Sequence, residues 1–259
     1  MDMGIKGRKA LVCGASAGLG LACAQALARE GVELVIAARR EAPLREAAAA
    51  LQAQCRGPVH WVAADVTTDE GRARIFAAHT DFDILVTNAG GPAPGDFRTW
   101  DRDSWIAALD ANMLAPIALI RQVVDGMMGR CFGRIVNITS SAVKSPVEGL
   151  GLSTGARSGL TGFVAGLARS TIAKGVTINN ILPGTFDTQR LASNFAAQAL
   201  REGKDVATVR AARLAKHPAQ RFGQPEEFGA ACAFLCSAHA GYINGQNLLM
   251  DGGSFSGVT

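Results

Sequence analysis

The tightest constraint in the chain is the run Gly14-Ala15-Ser16-Ala17-Gly18-Leu19-Gly20. It follows the apolar segment Ala10-Leu11-Val12-Cys13 directly and opens into an alanine-rich helical pattern, so a strand must give way to a helix within these residues. Gly14 permits the tight turn, Gly18 lets the backbone approach a phosphate, and Gly20 lets the helix pack closely on a sheet. Amides at the start of that helix, at the positive end of its dipole, suit a pyrophosphate. A glycine-rich turn kept only for the fold would explain the glycines alone. The strand before and the helix after are what point to a nicotinamide dinucleotide held by Gly14, Ser16, Ala17, Gly18, Leu19 and Gly20.

The rest of the chain alternates short apolar runs with helical patterns. Strands are predicted over 9–13, 33–38, 59–63, 83–87, 133–138, 176–182 and 246–250, and helices over 18–30, 44–54, 72–78, 104–128, 158–173 and 225–237. Nearly continuous Val/Ile/Leu strands suit parallel strands covered on both faces. With 48% apolar and 19% charged residues there is material for a large core. The pattern predicts an α/β fold, a Rossmann-type doubly wound parallel sheet in three layers, as a single domain over 1–259. Residues 185–222 are too long for a plain connection. They read as amphipathic helices that serve either as a substrate lid or as a packing or subunit-contact element.

The second strand ends Val35-Ile36-Ala37-Ala38-Arg39-Arg40, with no acidic residue to bond a free ribose. This favours NADP over NAD, with Arg39 ahead of Arg40 as the 2′-phosphate ligand; a solvated pair at a helix entry is the alternative. The net charge of +4 is scattered, which argues against a nucleic-acid partner. No signal-like stretch or apolar run of membrane length is evident, so a cytoplasmic protein without a membrane partner is expected. The six cysteines lie in apparent core segments, without the companions of a metal site, so no metal is expected.

Gly14-xxx-Gly18-x-Gly20, Ala64-Asp65-Val66, Asn88-Ala89-Gly90, Asn137-xx-Ser140, Leu182-Pro183-Gly184, Arg221-Phe222-Gly223-x-Pro225-Glu226-Glu227 and Gly245-Gln246 through Asp251-Gly252-Gly253 resemble the short-chain dehydrogenase/reductase family. The likeness runs in order along nearly the whole chain, and the branch it resembles is that of the 3-oxoacyl-acyl-carrier-protein reductases. The resemblance implies that Asp65 and Val66 flank the adenine and that Asn88, Ala89 and Gly90 line the ribose. Pro183, Gly184, Thr185 and Thr188 would then stand by the nicotinamide. It also implies a small carbonyl or alcohol substrate and a homo-oligomer, a tetramer or dimer.

Members of that family work with an Asn–Ser–Tyr–Lys set. Asn112 and Ser140 match the first two, whereas Ser153 stands in place of the tyrosine and Arg157 in place of the lysine. The only tyrosine, Tyr242, adjoins the final strand and reads as a core or subunit-contact residue. A serine hydroxyl is a far poorer acid than a phenol, and arginine stays protonated. Loss of a positioned acid–base group typically costs about 10²–10⁴ in rate, roughly 3–5 kcal/mol of barrier. Arg157 can still bond the cofactor ribose, and Ser140 and Ser153 can donate to a substrate oxygen. Lys144 is the one titratable cation near Ser140 in sequence, a stand-in for proton transfer or a solvated loop lysine; Glu148 is a weaker candidate. The expectation is an NADP-dependent oxidoreductase with an atypical active site. A catalytically silent cofactor-binding homologue (sensor or partner subunit) is the alternative, and non-redox chemistry on the same fold is a minor one.

Overall fold

In a computed structural model, which describes residues 2–55 and 57–258, the seven strands form one parallel sheet of order β3-β2-β1-β4-β5-β6-β7. They are β1 (Lys9–Cys13), β2 (Glu33–Ala38), β3 (Val59–Ala63), β4 (Ile84–Thr87), β5 (Gly133–Ile138), β6 (Val176–Pro183) and β7 (Asn247–Met250). The helices are α1 (Gly18–Arg29), α2 (Glu41–Gln52), α3 (Asp69–Ala78), α4 (Arg102–Leu109), α5 (Ala115–Gly129), α6 (Gly151–Thr171), α7 (Gln189–Glu202), α8 (Val206–Ala215) and α9 (Pro225–Cys236). Strand residues alternate between two cores, as the two-residue period demands. Ala10, Val12, Leu34 and Ile36 pack with α1, α2 and α9, while Leu11, Cys13, Val35 and Ala37 pack with α3, α5 and α6. This is the three-layer, doubly wound single domain predicted. Strand order reverses between β1 and β4, which leaves a crevice at their carboxyl ends.

Close approach also packs the helices within each layer. A Cβ on Gly229 would stand 2.4 Å from the Ala22 carbonyl oxygen, so α9 lies directly on α1. Across the sheet, Gly151, Gly155 and Gly159 form a small-residue face on α6. Cβ atoms there would stand 2.7, 3.0 and 2.7 Å from Trp100, Trp105 and Met113, so bulky side chains near α4 and the start of α5 fill the space. This is why α6 begins at Gly151 rather than at 158: tertiary packing sustains a glycine-rich turn that intrinsic propensity disfavours.

Three further expectations need correction. The helix predicted over 104–128 is interrupted at Asp110–Leu114 by a π-helical turn. The stretch Arg102–Gly129 also has the length and composition of a membrane span, although Leu119, Ile120, Val123 and Met127 of it lie in the core. Cys131 and Tyr242 are exposed, so neither is a core residue, whereas Cys13, Cys23, Cys232 and Cys236 are buried. Among the described residues no group of three His, Cys, Asp or Glu side chains is placed to hold a metal. The predicted strands at 83–87 and 246–250 each begin one residue later, within the ordinary scatter of element ends.

A buried polar ladder pins the register of the second half of the sheet. Thr87 Oγ1 donates to Asn137 Oδ1 (2.7 Å), Asn137 Nδ2 to Asn180 Oδ1 (3.1 Å), and Asn180 Nδ2 to Asn247 Oδ1 (2.8 Å). Each pair is directly opposed across neighbouring strands. Asn137→Leu removes two of the three bonds and orphans Thr87 Oγ1 and Asn180 Oδ1, at about 1–2 kcal/mol each. Urea unfolding is expected to show a loss of about 2–4 kcal/mol with an unchanged m-value.

Candidate active site

Two clefts open beyond the carboxyl ends of the strands, and both are lined by Asn88 and Ala89. Between them sits the glycine turn. Gly14 and Gly18 have φ of 61° and 60°, which an L side chain resists. A Cβ on Gly20 would stand 2.3 Å from the Gly14 carbonyl oxygen, so the turn closes only with glycine there. Asn88 Nδ2 donates to that same carbonyl (3.3 Å) and ties the end of β4 to the end of β1. The N-cap of α1 is Ala17, which has no side-chain oxygen and makes no cap bond. The amides of the first turn are therefore left for a ligand, as a diphosphate requires.

The first cleft, about 230 Å³, lies over the ends of β1 to β4 and is lined by Gly14, Ser16, Arg39, Arg40, Asp65, Val66 and Gly90 among others. Arg39 leans across its mouth, with Nη2 4.0 Å from where a Gly90 Cβ would stand. Arg40 is the N-cap of α2 and makes no side-chain cap bond. A cation there runs against the helix dipole, which points to an anionic partner rather than to helix stability. Burial pushes the Asp65 carboxyl up, but the amide and hydroxyl of Thr67 and the charge of Arg39 outweigh it, and the net shift is downward. Asp65 is thus an ionised acceptor in the lining of the first cleft.

The second cleft, about 350 Å³, brings together Leu19, Ser140, Ser153, Arg157, Pro183, Gly184, Thr185 and Thr188. Ser140 lies two residues past β5 in extended backbone, and its Oγ accepts from the Ala142 amide (3.1 Å), which leaves the hydroxyl proton free to donate. Ser153 and Arg157 lie one helical turn apart on α6, each 8% exposed. Arg157 Nη1 donates to Ser153 Oγ, so the serine proton is again free. Among the described residues Arg157 Nε has no hydrogen-bond partner. Burial, aided by the charge of Arg190, brings its pKa down to about 10. An unpaired buried donor of this kind fits the hydroxyls of a bound ribose.

Not every predicted residue joins them. Ala17, Gly18 and Gly20 build the turn without lining either cleft. Asn112 is buried within the π turn, where its Nδ2 donates to the Ala108 carbonyl (3.1 Å). Lys144 lines neither cleft; its ammonium stands over the Phe255 ring at 5.9 Å. Glu148 is exposed in the same loop.

Sequence reasoning missed Arg190 and Arg213, which α7 and α8 bring to the second cleft. Arg190 Nη2 donates to the Gly91 carbonyl (3.3 Å). A Cβ on Gly91 would stand 3.1 Å from that nitrogen and 3.3 Å from both terminal nitrogens of Arg157, so two guanidiniums converge there. The signal was available: Arg190 falls in the first turn of a helix, where a cation opposes the dipole.

Comparisons with known proteins agree with this architecture. The family described as enoyl-(acyl carrier protein) reductase matches residues 14–254. The chain is 32% identical over 257 residues to a 3-oxoacyl-acyl-carrier-protein reductase of Vibrio cholerae, covering 98% of this chain and 99% of that one. It is 34% identical over 256 residues to an acetoacetyl-CoA reductase of Allochromatium vinosum, covering 96% and 98%. The crystal structure of L-sorbose reductase from Gluconobacter frateurii, complexed with NADPH and L-sorbose, superposes with a TM-score of 0.94 at 31% identity, over 100% of both chains. The chain therefore belongs to the short-chain dehydrogenase/reductase family of oxidoreductases.

Proposed function

We propose that the protein is an NADP-dependent oxidoreductase that interconverts a small carbonyl compound and its alcohol, with an acid–base apparatus altered from that of its family. The observation that carries this reading is the uncapped start of α1 beside a cleft in which Ser140, Ser153 and the partly unpaired Arg157 meet. Solved relatives hold NADPH or NADP, which supports the same cofactor here. The amides of α1 would hold the pyrophosphate, Arg39 and Arg40 the 2′-phosphate, and Arg157 the ribose by the nicotinamide. Bound in this way, the dinucleotide would supply or take up the hydride at the substrate carbon.

In the reducing direction Ser140 and Ser153 donate hydrogen bonds to the carbonyl oxygen. As that oxygen gains the carbonyl electron pair, Arg157 stabilises the charge through its bond to Ser153. The oxygen takes the Ser153 proton, and water replaces it. A serine hydroxyl does this poorly near neutral pH, so positioning supplies most of the rate. Lys144 has no part in this mechanism, because its ammonium faces Phe255. The segment 185–222 acts as the substrate-side cover: α7 and α8 pack on each other through Phe195, Ala199, Val209 and Phe222, and present Thr188, Arg190, Leu191, Asn194 and Arg213 to the cleft. The exposed Trp105, Ile106, Leu114 and Phe163 on α4 to α6 support self-association through these helices.

A second reading, cofactor binding without turnover, is favoured by one observation. Tyr242 is fully exposed and lines neither cleft, so no phenol is at hand to replace the missing one. NADPH fluorescence titration with a carbonyl panel separates the two: binding with NADPH oxidation supports the enzyme, and binding without it supports the silent homologue.

Two outcomes are expected. Arg39→Ala weakens NADPH binding by about ten- to a hundredfold, the worth of a charge-assisted phosphate contact, and NADH binding by less than about threefold, read from paired titrations. Ser153→Tyr with Arg157→Lys restores a phenol of tunable acidity and raises kcat by about 10²–10⁴ near pH 7, read as steady-state NADPH oxidation.

A further inference from the structure

We propose that the second cleft seats a substrate bearing a carboxylate or phosphoryl group, held by Arg190 and Arg213 while its carbonyl oxygen meets Ser140 and Ser153. This rests on the oxidoreductase reading above and adds the class of substrate.

The charge balance of the cleft is one-sided. Arg157, Arg190 and Arg213 line it, and no Asp or Glu does. Among the described residues none of the three makes an ion pair. The nearby carboxylates are committed elsewhere. Asp187 holds Arg210 through two bonds (3.1 and 2.7 Å), and Glu227 holds Arg221 through two (both 2.7 Å). Asp251 accepts from the Gly253 and Phe255 amides (3.0 and 2.7 Å).

Three arginines on a solvated surface would need no explanation, and Arg190 and Arg213 are both exposed. Arg157 is different. It is 8% exposed, its Nε lacks a partner, and its guanidinium converges with that of Arg190 on Gly91. Two like charges brought together on Gly91, one of them buried, are unfavourable until an anion enters. The position of Arg190 in the first turn of α7 adds to that cost, since the dipole opposes it.

The cofactor pyrophosphate could in principle be that anion, but the basic lining continues away from the glycine turn. An adjoining cleft of about 240 Å³ shares Ser141, Val147, Gly184, Thr185 and Arg213 with this one, adds Lys216 and His217 together with the amide-bonded Asp251, and includes no residue of the 14–20 turn. An anion seated at Arg213 lies past the serines, on the substrate side. A planar guanidinium grips carboxylate and phosphoryl oxygens in the same bidentate manner, so the two groups share the recognition and experiment must separate them.

The test uses matched pairs on the full chain: acetoacetate against methyl acetoacetate, and dihydroxyacetone phosphate against dihydroxyacetone. Steady-state NADPH oxidation is expected to favour the anionic member of at least one pair tenfold or more in kcat/KM. Arg213→Ala should cut that preference at least tenfold, mainly through KM, and Arg213→Lys should keep part of it; NADPH titration of each variant confirms that it folds. Whichever pair shows the preference identifies the group. Equal or better turnover of the neutral members overturns the proposal. If no carbonyl is reduced, the oxidoreductase reading fails, and calorimetry of the two anions into NADP⁺-saturated protein decides this one separately. Binding that Arg213→Ala abolishes upholds the anion seat. No binding, or binding only to cofactor-free protein, assigns the arginines to the surface or to the pyrophosphate and overturns it.

Discussion

The buried ladder Thr87–Asn137–Asn180–Asn247 is the interaction on which the site depends. A parallel sheet of aliphatic residues can slip in register with little loss of apolar burial, but a chain of amide and hydroxyl bonds cannot, since a slip leaves every buried member unpaired. The ladder sits one rung below the functional edge of the sheet. Asn88 follows Thr87, Ser140 lies three residues past Asn137, and Pro183 to Thr185 follow Asn180 by a few residues. Fixing the ladder therefore fixes the relative heights of Asn88, Ser140 and the Pro183–Thr185 wall of the clefts.

Much of this was legible in the sequence because backbone rules leave little choice. Gly14 and Gly20 are required by a positive φ and a contact that no Cβ can tolerate, so their spacing alone exposes the turn. Continuous apolar strands exposed the parallel sheet, and the missing acid after β2 exposed the basic pair Arg39–Arg40. What stayed hidden was set by tertiary packing. Nothing local marks the π turn at Asn112. The start of α6 was obscured because Gly151, Gly155 and Gly159 are poor helix formers that are retained for Trp100, Trp105 and Met113. Arg190 and Arg213 lie more than twenty residues apart on separate helices, and only the Phe195–Val209–Phe222 packing brings them to one cleft.

The departure at Ser153 and Arg157 is best understood as a coupled change. A lone serine in place of tyrosine would leave a void and a weak hydrogen-bond donor. A lone arginine in place of lysine would bury a larger, permanently charged group with too few acceptors. Together each meets part of the other's need: Arg157 donates to Ser153, and the serine oxygen is polarised by a full charge. Under the proposed reading the pair would exchange an ionisable acid for a fixed electrostatic element, one that holds negative charge on an oxygen well but passes a proton slowly.

That exchange carries a consequence for the neighbouring helices. A lysine can shed its proton when burial makes the charge costly, whereas an arginine cannot do so at physiological pH even with its pKa lowered to about 10. The unfavourable charge of Arg157 must be met by a ligand or by the surrounding protein, and the surrounding protein supplies more cation in Arg190 and Arg213. The cleft is thus poised to gain more from an anionic occupant than from a neutral one of the same shape. Under the proposed reading, specificity and proton chemistry are then linked through one pair, since the same Arg157 that polarises Ser153 carries a charge that an anion can neutralise.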